Sequence, residues 1–154
     1  MIASWSSYYG NHQLVAVTVR YVHLASTLVG GGSAVVLDGK VLQAARADGA
    51  TRLSVLRELR GSHRLIVPAF TLVALSGLLL TAADVDTFLA SKLYWTKLGF
   101  VTLLVVNGAL LLAAESAAER TAGERWGRMA AVALASLTLW MATLFVGTWL
   151  TVGA

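Results

Sequence analysis

The sequence predicts an all-α fold: an integral membrane four-helix bundle in a single transmembrane domain that covers residues 1–154. Two observations lead to this prediction. First, 57% of the residues are hydrophobic, only 13% are charged, and the mean hydropathy is +0.72, whereas a soluble domain carries about a quarter charged residues. Second, the charged residues are confined to short segments between long apolar stretches, as in proteins that cross a bilayer several times.

Four apolar stretches are the predicted membrane spans, at about 13–37, 64–83, 93–114 and 128–152. Each is close to the roughly 20 residues that an α-helix needs to cross the hydrocarbon core. No stretch alternates polar and apolar residues as the strands of membrane barrels do, so the sequence predicts helices for all four spans.

The segment before the first span, MIASWSSYYGNH, has neither the basic nor the apolar region of a cleavable signal peptide. It contains Trp5, Tyr8 and Tyr9, and such aromatic residues favour the membrane–water interface. We therefore expect this segment to anchor the chain at the membrane surface.

The connection between the first two spans has one turn signal, Asp48-Gly49, with helix-forming sequence on both sides of it. We therefore expect spans one and two to continue beyond the membrane as a long cytoplasmic helical hairpin. Trp95 and Trp149 are predicted to mark the outer interface, and Trp126 the inner one.

Loop charge predicts the orientation of the spans. The second connection has two aspartates and one lysine, whereas the first and third are basic, with Lys40, Arg46, Arg52, Arg57, Arg60, Arg64, Arg120, Arg125 and Arg128. Because basic loops stay in the cytoplasm, both termini are predicted to lie outside. The expected location is the bacterial cytoplasmic (inner) membrane, as a multi-pass protein.

The formal net charge of +4 is therefore explained by cytoplasmic loops, and no nucleic-acid partner is indicated. The expected partners are the lipid bilayer and either other membrane subunits or further copies of this chain. The chain has no cysteine, which excludes disulfides, thiolate metal sites and iron–sulfur clusters.

The spans contain three ionisable, nitrogen-bearing side chains besides the arginines at their first residues. Arg20 and His23 are one helical turn apart in span one, and Lys97 is near the start of span three. Both spans enter from the predicted outer side, so the three residues can share one level near the outer leaflet. Ionisable residues inside the membrane are costly, and they indicate a functional site.

A haem fits these residue types, with His23 as an iron ligand and with Arg20 and Lys97 for the two propionates. Gly30 to Gly32, just below His23, would permit the close approach of a flat macrocycle or of a neighbouring helix. Other readings remain open: the two cations reach the headgroups, His23 bonds a neighbouring helix, or Asp84 and Asp86 pair with the cations.

A second iron ligand is harder to find. His63 lies about fourteen residues deeper than His23, or roughly 20 Å at 1.5 Å per residue, so the two imidazoles cannot hold one iron. Met141 is either a weak axial ligand or core filler. The sixth position is left open.

Three segments, RYVHLAST, RLIVPAFTLVALSGLLL and LYWTKLGFVTLLVVNG, together resemble small four-helix bacterial membrane proteins, the copper-resistance D-type proteins and the HemJ-type protoporphyrinogen oxidases. The resemblance covers about residues 15–114, and its matched points are His23, Pro68, Gly77 and Lys97. It implies haem b binding, with His23 as the ligand and Lys97 as a required polar partner.

The leading functional expectation is a small membrane b-type haem protein, similar to a cytochrome b, that transfers electrons alone or as a subunit of a larger complex. One alternative is a non-catalytic structural or assembly subunit of a respiratory or photosynthetic complex. The other is a HemJ-like protoporphyrinogen oxidase.

Overall fold

The computed structural model describes residues 2–121, 124 and 126–152. Within these ranges the chain is helical and contains no strand, and its helices are α1 (Ile2–Asn11), α2 (Gln13–Ala44), α3 (Gly49–Ala83), α4 (Val85–Ala90), α5 (Lys92–Arg120) and α6 (Trp126–Val152). Of these, α2, α3, α5 and α6 are long and apolar enough to cross a membrane. The predicted all-α class and the four spans are confirmed. Arg125 of the predicted third connection lies outside the described residues.

The four long helices run antiparallel to their neighbours and extend beyond the predicted apolar spans. The end of the bundle that carries the α2–α3 and α5–α6 connections is called the connection end here, and the opposite end is the terminal end. At the connection end, α2 continues to Ala44, α3 starts at Gly49, and α5 continues to Arg120. The apolar stretches therefore predict the part of each helix that is suited to lipid, and they do not predict the full length of the helix. Which end faces the cytoplasm stays a prediction from loop charge.

Two charged residues build the α2–α3 turn. Asp48 is the N-cap of α3, and its carboxylate accepts a 2.8 Å hydrogen bond from the Thr51 amide. The hydrogen bonds from Thr51 lower the pKa of the Asp48 carboxyl. Arg52 donates to the carbonyl of Ala44, the last residue of α2, at 3.2 Å and to that of its C-cap, Ala45, at 2.9 Å. The two side chains thus supply hydrogen-bond partners to backbone groups at the end of α2 and at the start of α3.

The tightest packing of the bundle is at the connection end. Its core is formed by Leu37, Val41, Ala44, Val55, Leu56, Leu59, Ala114, Ala118, Trp126, Met129 and Ala133. Trp126 is only 2% exposed, and its indole donates a 2.9 Å hydrogen bond to the carbonyl of Val41. The expectation that Trp126 marks a lipid interface is therefore corrected: this ring fills the core, whereas Trp95 and Trp149 are exposed on the outside of the bundle.

Helices α2 and α3 pack closely, as do α5 and α6, whereas α3 and α5 hardly touch. Three side-chain contacts link α3 to α5. Thr81 contacts Tyr94 (3.2 Å) towards the terminal end, and Arg60 contacts Glu119 (3.3 Å) and His63 contacts Glu115 (3.6 Å) towards the connection end. We call the interval between these contacts the α3–α5 seam; it separates residues 64–80 of α3 from residues 95–114 of α5. The bundle is least closed on this side.

Helix α1 folds back onto the terminal end of the bundle. The Trp5 indole donates to the carbonyl of Leu79 (2.9 Å), and the Ser6 hydroxyl donates to that of Ala83 (2.7 Å). The Ala83 carbonyl is at the last residue of α3, where no further helical amide is available to it. The first segment is thus attached to α3 by specific hydrogen bonds.

Candidate functional site

The side chain of His23 is half-buried and points from α2 towards α3. Its Nδ1 lies 3.0 Å from the hydroxyl oxygen of Ser76, which itself lies 2.5 Å from the carbonyl of Leu72. A serine hydroxyl has one proton, and that proton is directed at Leu72. Ser76 therefore accepts from the imidazole, and His23 carries its proton on Nδ1.

This arrangement leaves Nε2 of His23 with the lone pair that a metal ion binds. The described side chains form no hydrogen bond with Nε2, and the imidazole has one further hydrogen bond, to the backbone of Val73. A ligating histidine whose other ring nitrogen is held by a polar neighbour is the usual arrangement in metal sites. The geometry therefore suits His23 as a metal ligand.

The described residues contain no group of three His, Cys, Asp or Glu side chains that could hold a metal ion. A bare ion would therefore find one protein ligand at His23. A metal that brings its own ring of ligands needs only one or two axial side chains from the protein.

Lys97 of α5 lies beside His23, close enough for its charge to act on the imidazole. Two glycines leave room for the two side chains. A Cβ at Gly77 would lie 3.4 Å from Cε1 of His23, and one at Gly147 would lie 3.6 Å from Nζ of Lys97. Three helices besides α2 therefore contribute to the site, and the predicted convergence of His23 and Lys97 is what the structure shows.

The site is electropositive. Among the described residues, ion pairs link Lys40 to Glu58, Arg60 to Glu119, and His63 to Glu115, and none of them involves Lys97. Asp84, proposed from the sequence as a partner, instead accepts from the Thr87 amide at the start of α4. A half-buried ammonium without a carboxylate favours an anionic ligand.

Arg20 is not brought to this site. Its side chain is exposed, and its Nε donates to the hydroxyl of Tyr9 (3.2 Å) on α1. The contact depends on α1 folding back, which no pattern in the sequence predicts. Of the three nitrogen-bearing side chains, two therefore meet and the third secures α1.

The three glycines below His23 have different surroundings. A Cβ at Gly30 would meet the ring of Phe70 at 3.0 Å, and one at Gly31 would meet the ring of Trp140 at 2.9 Å, whereas Gly32 has nothing within 4 Å. Phe70 and Trp140 stack on each other, with ring centroids 5.6 Å apart. The close approach of neighbouring helices is thus the role of Gly30 and Gly31, and no space for a macrocycle remains against them.

Met141, considered from the sequence as a weak ligand or core filler, is exposed on the outside of α6. Neither role fits that position. The neighbouring Trp140 is the residue that points inward. The span is apolar on all sides, so its sequence does not show which face is buried.

Two buried carboxyl groups were missed in the sequence. Asp38 and Glu115 are 2% and 5% exposed, and Oδ2 of the first and Oε2 of the second make no hydrogen bond to any described residue. Both follow directly after predicted spans and resemble ordinary loop charges. A signal was present for Glu115, since it is four residues after Leu111 and eight after the buried Asn107, on the same helical face.

The chain matches no protein-family model, no curated protein and no solved structure.

Proposed function

We propose that this protein is a small integral membrane b-type haem protein that transfers electrons, by itself or as a subunit of a larger membrane complex. The observation that supports the proposal most strongly is the state of His23. Its Nδ1 lies 3.0 Å from the hydroxyl oxygen of Ser76, the imidazole also forms a hydrogen bond to the backbone of Val73, and the charge of Lys97 acts on it. When bound, haem b supplies one-electron redox chemistry.

In this proposal Ser76 would fix the imidazole plane and its tautomer, and His23 would hold the iron. Lys97 would neutralise a carboxylate of the haem through a charge-assisted hydrogen bond, which is strong where water is scarce. Arg20 has no part in the site because it is bound to Tyr9. The chain thus offers one axial ligand and one cation.

The α3–α5 seam supports the proposal because it offers a way in from the membrane. Between its end contacts, α3 and α5 lie apart, and His23 and Lys97 are half-buried rather than enclosed. Haem is amphipathic and partitions into bilayers, so entry through the seam needs no passage through the aqueous phase. Gly77 and Gly147 have no side chain that would block the inner side of this route, next to His23 and Lys97.

The test is haem titration of the purified protein in lipid nanodiscs. We expect wild-type protein to develop a Soret band, His23→Ala to lose it, and His63→Ala, the matched control at the connection end, to keep it. Ser76→Ala should bind haem about 10–100-fold more weakly, as is typical when the support of a ligating histidine is removed. A folded wild-type protein that stays colourless, or a His23→Ala variant that keeps the band, contradicts the proposal.

A second candidate function, a non-catalytic subunit of a larger membrane complex, is favoured by a groove on the outside of the bundle. The groove has a volume of about 650 Å³ and is lined by Gly32, Ser33, Val36, Leu37, Lys40, Glu58, Gly61 and Ser62. Small residues let another transmembrane helix approach closely. In mild detergent, the wild-type protein should purify with a stoichiometric partner or a second copy of the chain, and Gly32→Leu should release it. A wild-type protein that purifies alone as a monomer would exclude this candidate.

A further inference from the structure

Glu115 is a buried carboxyl that the proposed haem site does not use. It is 5% exposed, and Oε2 makes no hydrogen bond to any described residue. Ala114 and Ala118, its neighbours on α5, belong to the apolar core of the connection end. A buried carboxylate oxygen without a hydrogen bond is energetically unfavourable, and natural proteins rarely keep one without a use.

The charged groups near Glu115 come from α3 and from its own helix. Nε2 of His63 lies 3.6 Å from Oε2 of Glu115, and Arg60 and Glu119 are the other charged groups that act on it. Arg60 is engaged with Glu119 at 3.3 Å. Among the described residues of α2 and α6, no titratable group acts on Glu115. His63 is therefore its direct partner.

His63 connects the buried carboxyl to water. Its side chain is 33% exposed, whereas that of Glu115 is 6% exposed. The 3.6 Å separation is just longer than a hydrogen bond, so a shift of a few tenths of an ångström brings the two atoms into bonding distance. A proton from the aqueous phase at the connection end can thus reach the imidazole first and the carboxyl next.

We propose that His63 and Glu115 form a proton-binding site that takes up one proton from the aqueous phase at the connection end. The proton is held between Nε2 of His63 and Oε2 of Glu115. Binding adds one positive charge to the pair, breaks no covalent bond, and needs no other reactant. Release returns the same proton to water through the exposed side of the imidazole.

Proton binding also has a mechanical consequence. His63 lies on α3 and Glu115 on α5, two helices that hardly touch elsewhere. With the proton bound, it bridges Nε2 of His63 and Oε2 of Glu115 across the α3–α5 seam. Without it, the hydrogen bond through that shared proton is lost. The site therefore ties the two helices together only when it holds the proton.

Infrared difference spectroscopy of the protein in nanodiscs tests the proposal over a pH titration. We expect a carboxyl signal that titrates, that disappears in Glu115→Gln, and that persists in Glu119→Gln, the matched control one turn away. In His63→Gln its midpoint should move to lower pH by about one unit or more, a tenfold change in proton affinity, because the imidazole no longer shares the proton with the carboxyl group.

A second measurement does not require replacing either partner. Because the chain has no cysteine, spin labels at Gly61→Cys and Ser116→Cys, both exposed positions near the pair, report the α3–α5 distance directly. We expect this distance to increase as the pH is raised through the same midpoint. The proposal is overturned if no titrating signal belongs to Glu115, if the midpoint is unchanged in His63→Gln, or if the distance does not respond to pH.

Discussion

Gly31→Ala is expected to destabilise the protein by about 1–3 kcal/mol, the usual cost of overpacking a well-filled core. The added Cβ would lie 2.9 Å from Cζ3 of Trp140, closer than two carbon atoms can approach. The indole cannot simply swing aside, because it is buried and stacked on Phe70. Helices α2 and α6 must therefore separate, and the separation is measurable as a lower unfolding midpoint in a denaturing-detergent titration.

The matched control is Gly32→Ala, one residue further along α2. Nothing lies within 4 Å of the added methyl group there, and alanine is favoured over glycine in a helix by about 1 kcal/mol. We expect this variant to be as stable as the wild type or slightly more stable. In the Gly31→Ala background, Trp140→Leu should recover part of the loss because it removes the clashing ring. Equal effects of the two alanine substitutions would show that the contact with Trp140 does not control stability.

The four spans could be predicted from the sequence because lipid imposes a simple condition on composition. About 20 apolar residues are needed for each crossing, and the chain provides four such stretches. The condition ends at the edge of the apolar layer. The continuation of α2 and α3 beyond it was instead predicted from the Asp48-Gly49 turn signal and its helix-forming flanks, whereas the last turns of α5 were not predicted. Local signals helped only at Asp48, whose capping role follows from its type and its place before a glycine.

The meeting of His23 and Lys97 could also be predicted, because two spans that enter from the same side place residues of similar depth at one level. The rotation of each helix could not be predicted. An apolar surface on all sides gives no preferred face, and the orientation is then set by how small and large residues fit together. That is why the pairing of Gly31 with Trp140 and the outward position of Met141 became evident only in three dimensions.

Arg20, Asp38 and Glu115 show a second reason for incomplete prediction. The surroundings of each depend on a residue far away in the chain or on another helix: Tyr9 for the first, Ser136 for the second and His63 for the third. Their residue types are compatible with headgroup contacts or solvated loops. Only tertiary packing distinguishes those roles from burial.

Trp126→Ala is expected to be among the most destabilising single substitutions in the chain, at about 3 kcal/mol or more, as for other buried tryptophans. The ring is 2% exposed, its indole donates to the carbonyl of Val41 at 2.9 Å, and the guanidinium of Arg52 lies 5.8 Å from its centroid. One side chain thus joins α6 to α2 and to the residue that secures the α2–α3 turn. Its removal leaves a cavity in the core of the connection end and frees Arg52 from one of its contacts.

Trp149→Ala is the control, since it removes an equal side chain from an exposed position on the same helix. We expect a small change there, because lipid or detergent takes the place of the ring. Trp126→Phe should lie between the two, since it keeps most of the apolar ring and loses the hydrogen bond to Val41. The order of unfolding midpoints, with Trp149→Ala highest, Trp126→Phe next and Trp126→Ala lowest, locates the main stabilising contacts at the connection end. If Trp149→Ala were as damaging as Trp126→Ala, the bundle would instead depend on what surrounds its outer surface, as expected for a subunit that is stable only within a larger complex.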